Sequence, residues 1–212
     1  MSKTLPAVHR CLAQPMRDLI LASRYRLIEP IGRGGCGEVW SAADLAKYST
    51  RVAVKFLHAD AGPEIYERFR LEVRTLKLLQ PHPHIVRLLD ESDSEGIPFL
   101  VMERLDLSLH DWLERHRKQC VLPDFGVVSH LLFQICDALE HAHRFVEGGP
   151  ITHRDINPRN IMLTTGAQGA LIAKVLDFGI ARMGKRHLTC TGQQLGTPGY
   201  MPPEQACGHH AL

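Results

Sequence analysis

Short alternating apolar runs come first along this chain and helical periods follow, an order that predicts a sheet ahead of helices. Tyr25-Arg26-Leu27-Ile28, Glu38-Val39-Trp40 and Arg51-Val52-Ala53-Val54-Lys55-Phe56-Leu57 are strand-like, and Gly32, Gly34, Gly35 and Gly37 fill the first turn between them. Three short antiparallel strands are expected there. A helix follows with Pro63 near its first turn, where a missing N–H costs little. Ile65, Phe69, Val73, Leu76 and Leu79 recur at helical spacing and mark its inward stripe, and Pro81-His82-Pro83 stops it. Two further strands are expected near residues 85–89 and 98–102.

Residues 124–146 are the longest helical segment. Leu131, Leu132, Phe133, Ile135, Cys136, Ala138, Leu139 and Ala142 lie nearly all round it, which predicts a buried core helix. Short strands at 161–163 and 171–176 flank the turn Thr165-Gly166-Ala167-Gln168-Gly169. Residues 1–24 hold one short apolar patch, Leu19-Ile20-Leu21, and are expected to be an N-terminal extension. Strands first and helices later predict an α+β chain of two lobes, 25–103 and 104–212, with a cleft near 102–105.

Composition narrows the class. The 212 residues are 44% hydrophobic and 23% charged, ordinary for a soluble globular protein with a real core. A net charge of +2 is too mild to argue for a nucleic-acid or membrane surface. The thirteen histidines are scattered without zinc-ligand spacing, and the six cysteines form no CxxC pair, so a cytoplasmic chain with reduced thiols is expected. No apolar run approaches the roughly 18 residues of a membrane span, and the N-terminus lacks the compact apolar stretch of a signal peptide.

The chemistry concentrates in His153-Arg154-Asp155-Ile156-Asn157-Pro158-Arg159-Asn160, followed 22 residues after Asp155 by Asp177-Phe178-Gly179. Two acids and an amide on neighbouring loops can gather divalent metal and a phosphate-bearing substrate at one point, as phosphoryl transfer requires. Either tripeptide alone is a poor signal. Upstream, Gly32-x-Gly34-x-x-Gly37 runs on into a strand through Glu38-Val39-Trp40-Ser41, not into a helix as a dinucleotide fold would have it. It reads as a hairpin turn whose glycines let the backbone close over phosphates, or as a plain hairpin turn. Lys55, on a mostly apolar strand, needs a partner, because an unpaired buried cation costs several kcal/mol. Glu72 lies on the inward helix stripe and is the best candidate, with Glu64 and Glu67 fitting less well. The pair either holds Lys55 toward a nucleotide's phosphates or is a surface pair at a strand edge, worth about 0–1 kcal/mol.

Taken together, these residues resemble the eukaryotic-like protein kinases, in particular the Ser/Thr kinases of bacteria. The glycine loop with Val39, the strand ending in Lys55, His153-Arg154-Asp155 with Asn160, and Asp177-Phe178-Gly179 stand in the family's order. Gly196-Thr197-Pro198-Gly199-Tyr200-Met201-Pro202-Pro203-Glu204 is similar to the end of the activation segment. The resemblance covers residues 25 to about 207. It implies a two-lobed kinase-like fold, with a small antiparallel N-lobe sheet and one main helix above a mostly helical C-lobe. It also implies transfer of the γ-phosphate of ATP, with Mg2+, to a protein Ser/Thr hydroxyl.

Residue by residue, the resemblance makes Asp155 the group that orients the substrate hydroxyl and accepts its proton, and Asn160 and Asp177 the magnesium ligands. Ile31, Gly32, Gly34 and Gly37 would cover the nucleotide, and Val39, Ala53 and Met162 would sandwich its ring. Met102 would guard the back of the adenine pocket, and the backbone of Glu103 and Leu105 would bond the adenine edge. Leu76, His153 and Phe178 are either members of the family's stacked apolar column or simple core packing. Thr197 in its Gly-Thr-Pro-Gly-Tyr setting looks like a Ser/Thr kinase. Arg154 is similar to kinases regulated by activation-loop phosphorylation, which makes Thr189 and Thr191 acceptors, autophosphorylated in trans, or else ordinary loop threonines.

The chain departs from the pattern in places. Asn157 stands where Ser/Thr kinases usually carry a lysine. A charged hydrogen bond is worth roughly 1.5–3 kcal/mol, so its loss predicts turnover slower by about tenfold to a hundredfold. Arg159 stands where many receptor tyrosine kinases place a compensating arginine, and is expected to supply part of the missing charge. Pro202 replaces the usual alanine. The family continues through further helices after Glu204, so a partial C-lobe is expected, with one side of the 124–146 helix uncovered. Exposing about five large side chains forfeits on the order of 10 kcal/mol, comparable with a typical stability of about 5–15 kcal/mol. The expected function is an ATP-dependent Ser/Thr protein kinase. The alternatives are a truncated, non-catalytic nucleotide-binding or pseudokinase-like interaction module, and a small-molecule phosphotransferase, against which the segment 196–204 argues.

Overall fold

The computed structural model describes residues 15–34, 37–57, 61–92, 98–144, 149–178, 182–183, 197 and 199–203. Six strands build the N-lobe sheet: β1 (Ile20–Leu21), β2 (Tyr25–Gly34), β3 (Gly37–Asp44), β4 (Thr50–Leu57), β5 (Leu88–Ser92) and β6 (Phe99–Glu103). Their order is β1-β2-β3-β4-β6-β5, antiparallel throughout. The first of them falls inside the segment read as an extension. Leu21 is buried beside Tyr25, Leu27 and Trp40. Arg24 clamps Asp44 with two 2.8 Å bonds, and the Tyr25 hydroxyl donates to Asp90 at 2.6 Å.

Strand β4 shows why alternation matters. Val52, Val54 and Phe56 join one hydrophobic cluster with Trp40, Phe99 and Val101. Lys55 therefore points to the opposite face, toward helix α1 (Pro63–Leu78) and the cleft. That helix buries Phe69, Glu72, Val73, Thr75 and Leu76, the expected stripe with a glutamate and a threonine set into it. Strand β5 begins three residues later than expected. Ile85 and Val86 are instead paired with the other lobe: Val86 N–H donates to Val175 O at 3.0 Å, and Val175 N–H to His84 O at 2.9 Å.

The C-lobe carries β7 (Leu107–Ser108), α2 (Leu109–Lys118), α3 (Phe125–His143), β8 (Ile151–Thr152), β9 (Ile161–Thr165), β10 (Leu171–Val175) and β11 (Arg182–Met183). Its sheets run β10-β9-β7 and β11-β8. Helix α2 was not foreseen. It buries no residue fully, but Ser108 caps it by accepting from Asp111 N–H at 3.0 Å.

The reading of 124–146 as a helix buried all round needs correction. Asp124 caps α3, and one face, Leu131, Gln134, Ile135, Ala138 and Ala142, is buried. Leu132 and Phe133 on the other face are 56% and 70% exposed, and Cys136 is exposed too, so one side is uncovered. The buried face binds the open edge of β10 through Gln134, which accepts from Ala173 N–H at 2.6 Å and donates to Leu171 O at 3.2 Å. One apolar cluster runs from Phe69 and Leu76 through Ile85 and Leu100 to Ile135, Val175 and Phe178, joining the lobes. No helix among the described residues is long and apolar enough to cross a membrane.

Candidate active site

The cleft is lined from above by the β2–β3 hairpin and β4, where Gly32 pairs with Val39 and Gly34 with Gly37. Gly35 and Cys36 lie outside the described residues. Gly37 admits no side chain, because a Cβ there would stand 1.7 Å from the Phe56 carbonyl oxygen. The tight β3–β4 approach fixes Val39 opposite Lys55.

Lys55 is buried, and its ammonium donates to both Glu72 oxygens, at 2.7 and 2.8 Å, and to Asp177 Oδ1 at 2.7 Å. One cation thus bridges α1 and the loop after β10. Burial alone would depress the ammonium, but the carboxylates of Asp177 and Glu72 reverse that and hold Lys55 above the ordinary lysine range. Glu72 is pushed up by its burial, against the pull of Lys55 and with the push of Asp177's negative charge. Asp177, the more exposed acid, is held low first by the charge of Lys55.

Between β8 and β9 the chain folds around His153, which is buried and packs its ring edge-on to Phe178 at 4.7 Å. Asp155 N–H donates to His153 Nδ1 at 3.2 Å, so Nε2 carries the proton and donates to Leu176 O at 2.6 Å. Burial holds this imidazole below its usual range. Arg154 and Asp177 both take left-handed backbone, φ 68° and 63°. Such conformations cost about 1–3 kcal/mol each and persist where surrounding bonds hold them. Arg154 immediately precedes Asp155 and Asp177 is itself an acid of the site, and no sequence signal marks the left-handed backbone at either.

Asn160 Nδ2 donates to the Asp155 carbonyl and to Asp155 Oδ2, both at 2.9 Å. Thr197 donates its N–H at 2.8 Å and its hydroxyl at 2.7 Å to Asp155 Oδ1. Asn157, also buried, donates to Thr197 Oγ1 at 3.1 Å and to Asp155 O at 3.1 Å. Leu176 N–H donates to Asn160 O at 2.9 Å, which ties the Asp155 loop to the Asp177 loop. With its nitrogen committed to Asp155, the Asn160 amide leaves an oxygen for a hard cation. Asp177 adds a carboxylate, a donor set that suits Mg2+ with phosphate and water completing the shell.

Farther along β4, Ala53 pairs with Met102 of β6, and Met102 and Leu105 join a cluster against which Met162 packs. Glu103 is held by its side chain, which accepts from Arg87 N–H and from Lys174, each at 2.8 Å. Lys174 had not been singled out in the sequence. Arg159 is exposed, and its backbone N–H donates to Asn157 Oδ1 at 2.9 Å. Gly179, Thr189, Thr191, Gly196, Pro198 and Glu204 lie outside the described residues.

Comparison with known proteins agrees with this arrangement. Residues 25–211 match the family described as protein kinase domain. The chain is 39% identical over 189 residues to serine/threonine-protein kinase Pkn1 of Myxococcus xanthus, covering 87% of this chain and 26% of that one. It is 37% identical over 206 residues to serine/threonine-protein kinase PknA of Mycobacterium tuberculosis, covering 93% and 44%. It thus spans about a quarter to under half the length of these relatives. With the match running through both lobes and every element of the cleft, the chain belongs to the protein kinase family, as a bacterial-type Ser/Thr kinase catalytic domain.

Proposed function

We propose that this chain binds ATP with Mg2+ between its lobes and transfers the γ-phosphate to a serine or threonine hydroxyl of a protein. The observation that carries this reading is the Asp155 carboxylate, oriented by Asn160 and Thr197 and tied through Leu176 to the Lys55–Glu72–Asp177 network. Asp155 aligns the incoming hydroxyl and takes its proton, and Lys55, braced by Glu72, neutralises the nucleotide's phosphates. Asn160 and Asp177 would hold Mg2+, which supplies charge neutralisation on the phosphate oxygens. The loop from Ile31 through Gly32, Gly34 and Gly37 closes over the phosphates. Val39, Ala53 and Met162 flank the ring, with Met102 behind it and the Glu103 and Leu105 backbone at its edge. Arg159, exposed on the segment that carries Asp155, supplies part of the positive charge that Asn157 lacks. Thr189 and Thr191 are the acceptors for autophosphorylation in trans, with Arg154 as a partner for the phosphate.

The test joins two measurements on the full chain. Mg-ATP should raise the melting temperature, and labelled γ-phosphate should reach a mixed protein substrate. Asp155→Asn should keep the first and abolish the second. Transfer surviving in Asp155→Asn, or no nucleotide stabilisation of the unaltered chain, overturns the reading. An unchanged rate in Arg159→Ala removes the role given to Arg159.

A further inference from the structure

The catalytic loop contains one buried side chain that bonds neither the cleft's cation nor its carboxylates, yet commits both of its polar atoms. Asn157 is 4% exposed. Its Nδ2 donates to Thr197 Oγ1 and to the Asp155 carbonyl, both at 3.1 Å, and its Oδ1 accepts from Arg159 N–H at 2.9 Å. The Thr197 hydroxyl has a single proton, and that proton lies on Asp155 Oδ1 at 2.7 Å. The bonds therefore have one direction: the Asn157 amide donates to the Thr197 oxygen, and the Thr197 hydroxyl donates to the Asp155 carboxylate. Each step polarises the next.

We infer that Asn157 is a positioning residue for phosphoryl transfer: it fixes the Thr197 hydroxyl, and with it residue 197 of the segment facing the substrate, on the carboxylate of Asp155, using a neutral amide and contributing no charge of its own. The inference rests on the kinase reading above and adds to it. Position 157 has two separable duties in such a site, orienting the threonine and supplying positive charge. Here the first is met in full by the amide, so a cation is not needed to build the Asp155–Thr197 pair. The requirement is for a donor. An aspartate of nearly the same shape has none to offer when ionised, and it would face the Thr197 oxygen and the Asp155 carbonyl with acceptors only. A lysine offers donors and adds the charge.

Four variants of the full chain test this: Asn157→Asp, Asn157→Ala, Asn157→Lys and Thr197→Val. Two readouts apply, steady-state transfer with ATP and amide hydrogen exchange at Thr197, whose N–H is protected only while it donates to Asp155 Oδ1. Asn157→Ala should lower kcat by about two- to tenfold, the equivalent of one neutral hydrogen bond, and Thr197→Val by about ten- to a hundredfold, that of one charge-assisted bond. Asn157→Asp, which also sets a negative charge beside Asp155, should be at least as slow as Asn157→Ala. The KM for ATP should stay within about twofold, because the Asn157 side chain bonds Thr197, Asp155 O and Arg159 N–H and none of Lys55, Asn160 or Asp177. Exchange at Thr197 should rise in Asn157→Asp and Asn157→Ala. Asn157→Lys should retain both the protection and at least the original kcat. If Asn157→Ala keeps the unaltered kcat and the protection, or if the loss falls on the KM for ATP with kcat intact, the positioning role is wrong while the kinase reading stands. If the unaltered chain stabilises with no nucleotide and transfers no phosphate, the kinase reading fails and this role with it.

Discussion

Gly37 offers the sharpest structural test, because its replacement asks for space that backbone atoms occupy. A Cβ built there lies 1.7 Å from the Phe56 carbonyl oxygen, 2.8 Å from its carbon and 3.1 Å from Leu57 Cα. None of these is the end of a flexible side chain. In Gly37→Ala, β3 must move off β4 by well over an ångström at the Gly37–Leu57 pair, where the two strands are in register. The move gives up about two ladder hydrogen bonds at ~1 kcal/mol each and adds about 1–3 kcal/mol of overpacking. A loss of about 3–5 kcal/mol lowers the melting temperature by roughly 6–20 °C in a chain of this size.

Gly32 is the control. Its nearest neighbour to a built Cβ is Val39 Cβ at 3.9 Å, ordinary contact, and its backbone is not left-handed. Gly32→Ala should therefore change the melting temperature by no more than about 2 °C, the effect of less than 1 kcal/mol. Differential scanning fluorimetry of the two variants, with and without Mg-ATP, measures both. The distortion in Gly37→Ala sits two residues from Val39 and against the carbonyl of Phe56, the neighbour of Lys55, so nucleotide stabilisation should also shrink. Equal melting temperatures for the two variants would refute the argument that backbone proximity, and not phosphate contact alone, demands glycine at 37.

Three further outcomes are expected. Lys55→Met strips the shared cation from Glu72 and Asp177 and should cost about 3–5 kcal/mol, while Lys55→Met with Glu72→Gln should regain more than half of the lost melting temperature without regaining transfer; equal losses would refute the pairing account. His82 and His153 are both held below the ordinary imidazole range, first by burial, with His141 and His84 adding to the effect on His82 against the pull of Asp137. Their stability contribution is full above the unfolded pKa of about 6.5 and drains as pH falls through the lower folded values. Glu72, raised by burial, acts with the opposite sign as pH rises, so the measurement is the difference in melting temperature between the unaltered chain and His82→Asn from pH 7.5 to 5; an unchanged acid slope in the variant would refute the assignment. Thr75 is fully buried, and its hydroxyl has no hydrogen-bond partner among the described residues. Thr75→Val should raise stability by about 1 kcal/mol, seen as a higher denaturant midpoint, and a lower one would refute it.

Which parts of this architecture were legible in the sequence follows from how local each signal is. Strands β2 to β4 and helix α1 announce themselves because period and burial coincide there, and Glu72 could be paired with Lys55 from its place on the inward stripe alone. Helix α2 escaped because it buries no residue fully, so its pattern lacks a stripe and only the Ser108–Asp111 cap betrays it. The start of β5 was misplaced because Ile85 and Val86, apolar and β-branched as a strand requires, are spent on β10 in the other lobe, a pairing across 90 residues that no local period encodes. Helix α3 was misread for a related reason. An apolar face and a buried face look alike in a sequence, and only the packing of β10 against Gln134 and Ile135 tells which side of α3 is covered in this chain.

The acids show the same division at finer grain. Residue types at 155, 160 and 177 are what a metal-phosphate site needs, and they could be chosen from chemistry. Their mutual orientation depends on bonds between loops: Leu176 N–H on Asn160 O, His153 Nε2 on Leu176 O, and Thr197 on Asp155 across a separation of 42 residues. Asn157 makes the distinction concrete. Its identity suggested a missing charge, whereas its bonds reveal a donor held in place, and the two readings differ on one observable. If charge is what position 157 is for, Asn157→Ala should be nearly harmless, since the charge is already absent. If orientation is what it is for, Asn157→Ala should be slower than the unaltered chain, because it removes the hydrogen that Thr197 Oγ1 accepts without changing the charge.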